Sequence, residues 1–249
     1  MRNFNRKNNQ IRPIAIKKNF NINAHGSCLI TIGNTKVICT ATFETEVPAW
    51  LKNKESGWLT AEYGMLPTST NSRNRREAKQ GKQSGRTIEI QRLIGRSLRT
   101  ILDLQAFPSK QFVIDCDVID ADGGTRTASI TGAYVALALA VKKLLKKGIL
   151  THNPIKDSIS AISCGIVNGK ILVDLDYNED SRADVDANFV FTQKSGISEI
   201  QISGEKSTFG LKTMNQMLKL GLESTKIISS LQKKIIGKIW KDSNLTIRR

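Results

Sequence analysis

Apolar and polar positions alternate with a period of two in several short runs of this chain and with a period near 3.6 in three longer ones. Residues 27–33 and 35–43 are β-branched runs separated by Gly33-Asn34, which predicts a hairpin. Residues 112–119 predict another strand. Residues 159–167 meet residues 171–175 across Asn168-Gly169, a dipeptide suited to a two-residue turn that needs positive φ. Residues 188–192 and 197–202, broken by residues 193–196, predict a further hairpin.

The helical period appears first in residues 89–105. There Ile90, Leu93, Ile94, Leu98, Ile101 and Leu102 form one face and Glu89, Arg92, Arg96 and Arg99 the opposite one. Residues 127–147 are almost wholly apolar until Lys142-Lys143 and Lys146-Lys147, and Gly148 follows as a stop, so a buried helix with cations at its C-terminal end is expected. A third helix spans residues 208–240, with a break expected near Gly221. Hairpins and helices interleave without regular strand-helix alternation, which predicts an α+β fold of mixed sheets packed with helices. Residues 1–249 read as one domain, with residues 226–249 as a basic C-terminal helix and tail. Residues 53–84 read as a long, mobile polar segment.

Composition narrows the class. A chain of 249 residues that is 39% hydrophobic can bury enough surface to offset the entropy of ordering, which excludes a disordered chain. No run reaches the ~18 consecutive apolar residues of a membrane span, and the N-terminus lacks the apolar core of a signal peptide, so a soluble, cytoplasmic protein with no membrane partner is expected. Cys28, Cys39, Cys116 and Cys164 form no Cys-x-x-Cys pair and have strand-like neighbours, as expected of buried, reduced thiols. The net charge of +16 points to a polyanionic partner. Its location matters more than its size: between Asn71 and Thr100 stand nine basic residues and two acidic ones.

Three constellations carry candidate chemistry. Asp120-Ala-Asp-Gly-Gly-Thr-Arg-Thr127 joins a strand to the buried helix. Gly123 and Gly124 leave backbone N–H groups approachable there, the helix dipole adds positive potential, and Thr125 and Arg126 add donors, so an anion site is expected. The other reading is a Gly-rich turn with Thr125 or Thr127 as N-cap. Residues 174–186 hold six carboxylates, a crowding relieved by an arginine or by a hard metal such as Mg²⁺; a solvated acidic loop is the alternative. Arg86 stands just before a predicted helix, where a cation is misplaced unless it shares an anion with the helix terminus. Arg92, Arg96 and Arg99 read as a solvated helix face or a subunit contact.

Three long strings, residues 57–67, 85–99 and 115–132, together resemble the ribonuclease PH family, and the resemblance extends with declining strength from residue 11 to residue 240. It implies the ribonuclease PH fold, of the ribosomal protein S5 domain 2-like type, and a phosphate-dependent 3′-to-5′ exoribonuclease that trims precursor tRNA and other RNA 3′ ends to release nucleoside diphosphates. It implies a homo-hexamer built as a trimer of dimers. Arg86, Gly124, Thr125 and Arg126 would bind phosphate, and Asp180 with Asp186 would be catalytic and hold Mg²⁺. Arg73, Arg75 and Arg76, in the Arg-rich polar segment, are expected to grip RNA. A catalytically silent RNA-binding ring subunit and a hydrolytic metal-dependent 3′ nuclease are the competing readings. The family's early Arg-Pro-Asp-Gly-Arg stands here as Arg2-Asn-Phe-Asn-Arg6, the Arg expected after Met65-Leu-Pro67 is Thr68, and its late Gly-Thr-Ala-Glu-Gly-like string is residues 203–209.

Overall fold

A computed structural model describes residues 2–52, 54–194 and 196–237 of the chain. Strands β1 (Ile14–Lys18), β2 (Gly26–Ile32), β3 (Thr35–Glu44), β4 (Trp58–Met65) and β5 (Gln111–Asp120) form one sheet in the order β1-β2-β3-β5-β4. All its neighbours are antiparallel except β4 and β5, which run parallel and are joined through α1 (Glu77–Gln80) and α2 (Gly85–Arg99). Helix α3 (Thr125–Lys146) follows. The second sheet, antiparallel throughout, has the order β7-β6-β8-β9, from β6 (Ile159–Val167), β7 (Lys170–Val173), β8 (Val185–Thr192) and β9 (Gly196–Gly204). The one-turn helix α4 (Tyr177–Asp180) lies between β7 and β8, and α5 (Leu211–Ile236) closes the described chain.

The apolar run of α3 has its cause in this layout. The helix lies against β2 and β3 of one sheet and β6 of the other, so it is buried on nearly every side from Ala128 through Val141, with Leu139 alone partly open. It is long and apolar enough to cross a membrane, yet 78% of its most apolar window is buried inside the fold, as befits a core helix. Gly132 lets it approach closely, because a Cβ there would stand 2.6 Å from the Cys39 sulfur. All four cysteines are free and buried.

The two hairpins across Gly33-Asn34 and Asn168-Gly169 and the central parts of all three helices lie where the periodicity places them. Other expectations are corrected. Residues 53–84 are not one polar excursion: β4 runs through them, with Leu59, Ala61 and Tyr63 facing the core. Helix α2 begins at Gly85, where Ser84 caps it, and ends at Arg99, earlier at both ends than the apolar spacing indicated. Helix α5 passes Gly221 without a break. The glycine is used for close approach there: a Cβ would meet Phe189 at 3.0 Å and Phe191 at 3.3 Å. Strand β1 escaped the periodicity altogether. Of the expected basic tail, residues 238–249 lie outside the described residues.

Candidate active site

Two helix entries meet at one place and differ in how they are finished. At α2 the Ser84 hydroxyl accepts the Thr87 amide at 3.1 Å, and Glu77 braces this cap by accepting from the Thr87 hydroxyl at 2.7 Å and the Ser84 amide at 3.1 Å. At α3 the N-cap is Gly124, at φ 66°, and no side chain caps the helix. Neither threonine takes that role, which removes the N-cap reading of the Gly-rich turn. The Thr127 hydroxyl donates to the Gly124 carbonyl at 2.9 Å, and the Thr125 hydroxyl accepts from the Tyr63 phenol at 2.9 Å. An uncapped N-terminus presents amide donors and positive potential to an anion.

Gly123, at φ 73°, brings the acidic stretch against this helix entry, since a Cβ would lie 2.6 Å from the Leu175 carbonyl oxygen. Half of the six carboxylates prove to be structural. Asp174 accepts from Arg12 through both oxygens, at 2.7 and 3.0 Å, and from the Arg12 amide at 2.6 Å. Arg6 donates to the Asp174 carbonyl at 2.7 Å and pairs with Asp176 and Glu179 at 3.4 Å. Arg2 binds both oxygens of Glu179, at 2.6 and 2.9 Å. Asp176 and Glu179 also form a capping box for α4. Arginines, not a metal, relieve this half of the crowding. The departed N-terminal motif, Arg2 and Arg6, is turned inward onto the loop.

Three remain: Asp184, just ahead of β8, Asp180, the last residue of α4, and Asp186, the second residue of β8. Burial pushes the Asp180 carboxyl up, against the opposing pull of Arg126 and Arg86. Burial and the charge of Asp180 push Asp186 up to about 6, with Arg126 and a 3.3 Å hydrogen bond from Asn188 opposing. The structure thus gathers Asp180, Asp186, Arg86 and Arg126 into one electrostatic unit. Arg86 and Arg126 stand second in α2 and α3, so Arg86 lies inside its helix and not ahead of it.

Several contributing residues lay outside the sequence reading. Tyr63 orients Thr125, and burial raises its own pKa although Thr125, Arg86 and Arg126 act to lower it. Glu89 and Gln201 each accept from Arg126 at 3.3 Å and are joined to each other at 3.3 Å. Tyr63 belongs to the strand that went unread. The contact between Glu89 on α2 and Gln201 on β9 is long-range, and no local pattern announces it.

Among the described residues no three His, Cys, Asp or Glu side chains converge as a metal cage. A pair of carboxylates nonetheless fits Mg²⁺, which is bound through one or two carboxylates completed by water and substrate phosphate. The mutual repulsion of Asp180 and Asp186 is the charge pattern such an ion relieves. Arg73, Arg75 and Arg76 lie apart from this centre, exposed on the loop between β4 and α1. That loop has some order, since Asn74 donates from its amide to the Pro67 carbonyl at 2.7 Å and from its side chain to Thr70 at 2.9 Å. The face of α2 expected to be solvated is partly engaged: Arg96 binds Glu199 at 2.8 and 2.9 Å, and Arg99 donates to the Leu59 carbonyl at 2.9 Å.

Two carboxylates and two arginines at an open helix entry, on a two-sheet α+β scaffold, form a site suited to a phosphoryl or nucleotidyl group. The 3′ exoribonuclease family matches the chain in both its parts, domain 1 over residues 10–143 and domain 2 over residues 157–224. Ribonuclease PH of Caulobacter vibrioides (strain NA1000 / CB15N) is 52% identical over 237 residues, which is 95% of this chain and 100% of that protein. Ribonuclease PH of Cereibacter sphaeroides (strain KD131 / KCTC 12085) is 53% identical over the same coverage. The chain belongs to the ribonuclease PH family of 3′ exoribonucleases. Solved structures share the fold at lower identity. Rice (Oryza sativa) Rrp46 gives a TM-score of 0.77 at 20% identity, covering 95% of this chain and 100% of its own. The Archaeoglobus fulgidus exosome with RNA bound to the active site gives 0.74 at 19%, covering 91% and 90%.

Proposed function

We propose that this 3′ exoribonuclease is phosphate-dependent and trims the 3′ extensions of precursor tRNA, releasing nucleoside diphosphates. The observation that carries this reading is the uncapped entry of α3, with Arg126 acting electrostatically on both Asp180 and Asp186 and Arg86 acting on Asp180. Inorganic phosphate takes the place beside Gly124, Thr125, Arg126 and Arg86. One of its oxygens forms a bond to the last phosphorus of the RNA as the bond from that phosphorus to the preceding 3′-oxygen breaks. The 3′-oxygen takes up a proton, and the terminal nucleotide leaves as a diphosphate. Two anions must be brought together for this, so cationic clamps and fixed orientation supply much of the rate. Asp180 and Asp186 would hold Mg²⁺, which supplies charge neutralisation at the reacting phosphates.

Arg73, Arg75 and Arg76 reach RNA upstream of the cut. The chain acts as one domain, with α3 as the core element shared by both sheets, and assembles as a homo-hexamer, a trimer of dimers. Its four reduced cysteines support a cytoplasmic setting.

Incubation with a tRNA carrying a short 3′ extension, with and without phosphate, tests the reading. Nucleoside diphosphates formed only with phosphate are expected. Monophosphates formed without phosphate would mean hydrolysis, and RNA bound but uncut would mean a silent ring subunit.

A further inference from the structure

A cavity of about 720 Å³, a size that suits a small organic ligand, lies away from the reactive centre. It is lined by Tyr134 of α3, by Asp157 ahead of β6, and by Gln232, Lys233, Lys234 and Ile236 in the last turns of α5. The turn that follows β8 also borders it. The cavity therefore stands at the opposite end of that strand from Asp186, about 20 Å along it. Tyr134 falls in the first of the two matched family domains and Asp157 in the second, so the cavity opens at the seam between them. Lys142 fixes the end of α5 against α3 by donating to the Ile236 carbonyl at 3.1 Å.

The polar groups around this space are incompletely satisfied. Gln232 is fully buried, and its Nε2 group donates to the Thr131 carbonyl at 3.0 Å and to the Ile159 carbonyl at 3.1 Å. Exchanging the amide nitrogen and oxygen would set the oxygen against two acceptors, so the orientation is fixed. Its Oε1 atom is left without a hydrogen bond. A buried acceptor in that state calls for a donor. Tyr134 is 6% exposed, and its phenol makes no hydrogen bond among the described residues. Burial, and then the charge of Asp157, push that phenol up to about 12, so at neutral pH it keeps its proton and can donate. Asp157 itself is engaged, accepting the Ser158 amide at 2.7 Å and the Lys194 amide at 2.8 Å. Lys233 and Lys234 are exposed and have no ion pair among the described residues.

We propose that this cavity binds a free guanine nucleotide, its base edge at Gln232 and Tyr134 and its phosphate at Lys233 and Lys234. The polar pattern selects the base. An unpartnered acceptor beside a carboxylate charge calls for neighbouring N–H donors, and the phenol calls for an acceptor. Of the four RNA bases only guanine presents two adjacent donors, N1–H and the N2 amino group, next to an acceptor, O6, on its pairing edge. Adenine, cytosine and uracil each offer a single donor group there. The Tyr134 ring and Ile236 supply apolar surface for a flat base. The two unpaired lysines require an anion, which a nucleoside lacks and a nucleotide carries. Polar groups as enclosed as Gln232 and Tyr134 are met more readily by a small molecule than by a base still joined to a strand on both sides.

Titration calorimetry with GMP, IMP and AMP tests the site, in saturating inorganic phosphate so that the reactive centre is occupied. GMP is expected to bind at least about tenfold more tightly than AMP, and IMP, which lacks the N2 amino group, several-fold more weakly than GMP. Tyr134→Phe removes only the hydroxyl and is expected to reduce the preference for GMP over AMP about fivefold. The double variant Lys233→Glu, Lys234→Glu is expected to weaken GMP binding about tenfold or more. Circular dichroism melting confirms that both variants fold, and both should cut a short oligonucleotide at the parental rate when no GMP is present. Absence of GMP binding at millimolar concentration, or equal affinity for GMP and AMP, would overturn the proposal. GMP binding that is unchanged in both folded variants would place the nucleotide elsewhere and overturn it as well. Displacement of bound GMP by a 3′-blocked RNA containing guanosine would assign the cavity to RNA, against a free nucleotide.

Discussion

Arg86 and Arg126 occupy the same position in two different helices, the second residue of α2 and of α3, and both project their charge onto Asp180. A cation in the first turn of a helix opposes the dipole, so this doubled placement costs stability unless an anion sits between the arginines and the helix entries. Removing one clamp should therefore be read out in phosphate dependence. Arg86→Ala is expected to raise the phosphate KM or abolish turnover while tRNA affinity stays close to the parental value. Steady-state rates over a phosphate series check this, and an unaltered phosphate KM would reject the clamp.

Asp186 carries a measurable cost of function. Its folded-state pKa of about 6 lies above the unfolded value, which is about 3.9 for an aspartate. The folded state therefore holds the proton more tightly, and this residue's contribution to stability falls as pH rises from about 4 to about 6. Asp186→Asn removes that loss. With chelator present, the variant should melt above the parental protein at pH 7.5, and the gap should narrow toward pH 4.5. A gap independent of pH would contradict the strained carboxylate.

Arg12 tests the other half of the acidic stretch. Its side chain is 1% exposed and bound to Asp174, whose side chain is 3% exposed. Arg12→Leu leaves that buried carboxylate with only Arg6, 3.7 Å away, as a charged partner, so a loss of about 3 kcal/mol is expected in urea unfolding. A loss below about 1 kcal/mol would show that the pair does not hold the loop.

Much of the fold was legible because local chemistry and tertiary demand agree in it. Asn168-Gly169 sits at positive φ in the turn it implied, and α3 reads as buried because it is buried along almost all of its apolar run. From local chemistry alone the pairing of Asp180 with Asp186 was legible only as membership of a crowded run, and it was the family resemblance that singled the two out. Which carboxylates stay available is decided by Arg2, Arg6 and Arg12, more than 160 residues earlier in the chain and joined to the loop only by folding. Strand β4 was masked by its own glycine and by the polar residues around it, although Tyr63 within it orients Thr125. The beginning of α2 was hidden because its first turn, residues 85–88, carries a single apolar side chain, Ile88, and that one is 43% exposed.

The exposed arginines at 73, 75 and 76 should act on binding alone. Replacing all three by Ala is expected to weaken tRNA binding and flatten its dependence on salt, by roughly one unit of slope for each phosphate that is no longer neutralised. Phosphorolysis of a very short oligonucleotide should change little. Parental affinity and salt slope in the triple variant would mean that these side chains face only solvent.

The most direct test follows the phosphorus. Unaltered protein and Asp180→Asn are given extended tRNA with radiolabelled inorganic phosphate, and released nucleotides are separated. The label is expected in the β-position of nucleoside diphosphates, at a rate at least ~10²-fold lower in the variant. Unlabelled monophosphates, or labelled diphosphates formed at the parental rate by Asp180→Asn, would contradict phosphorolysis at this site.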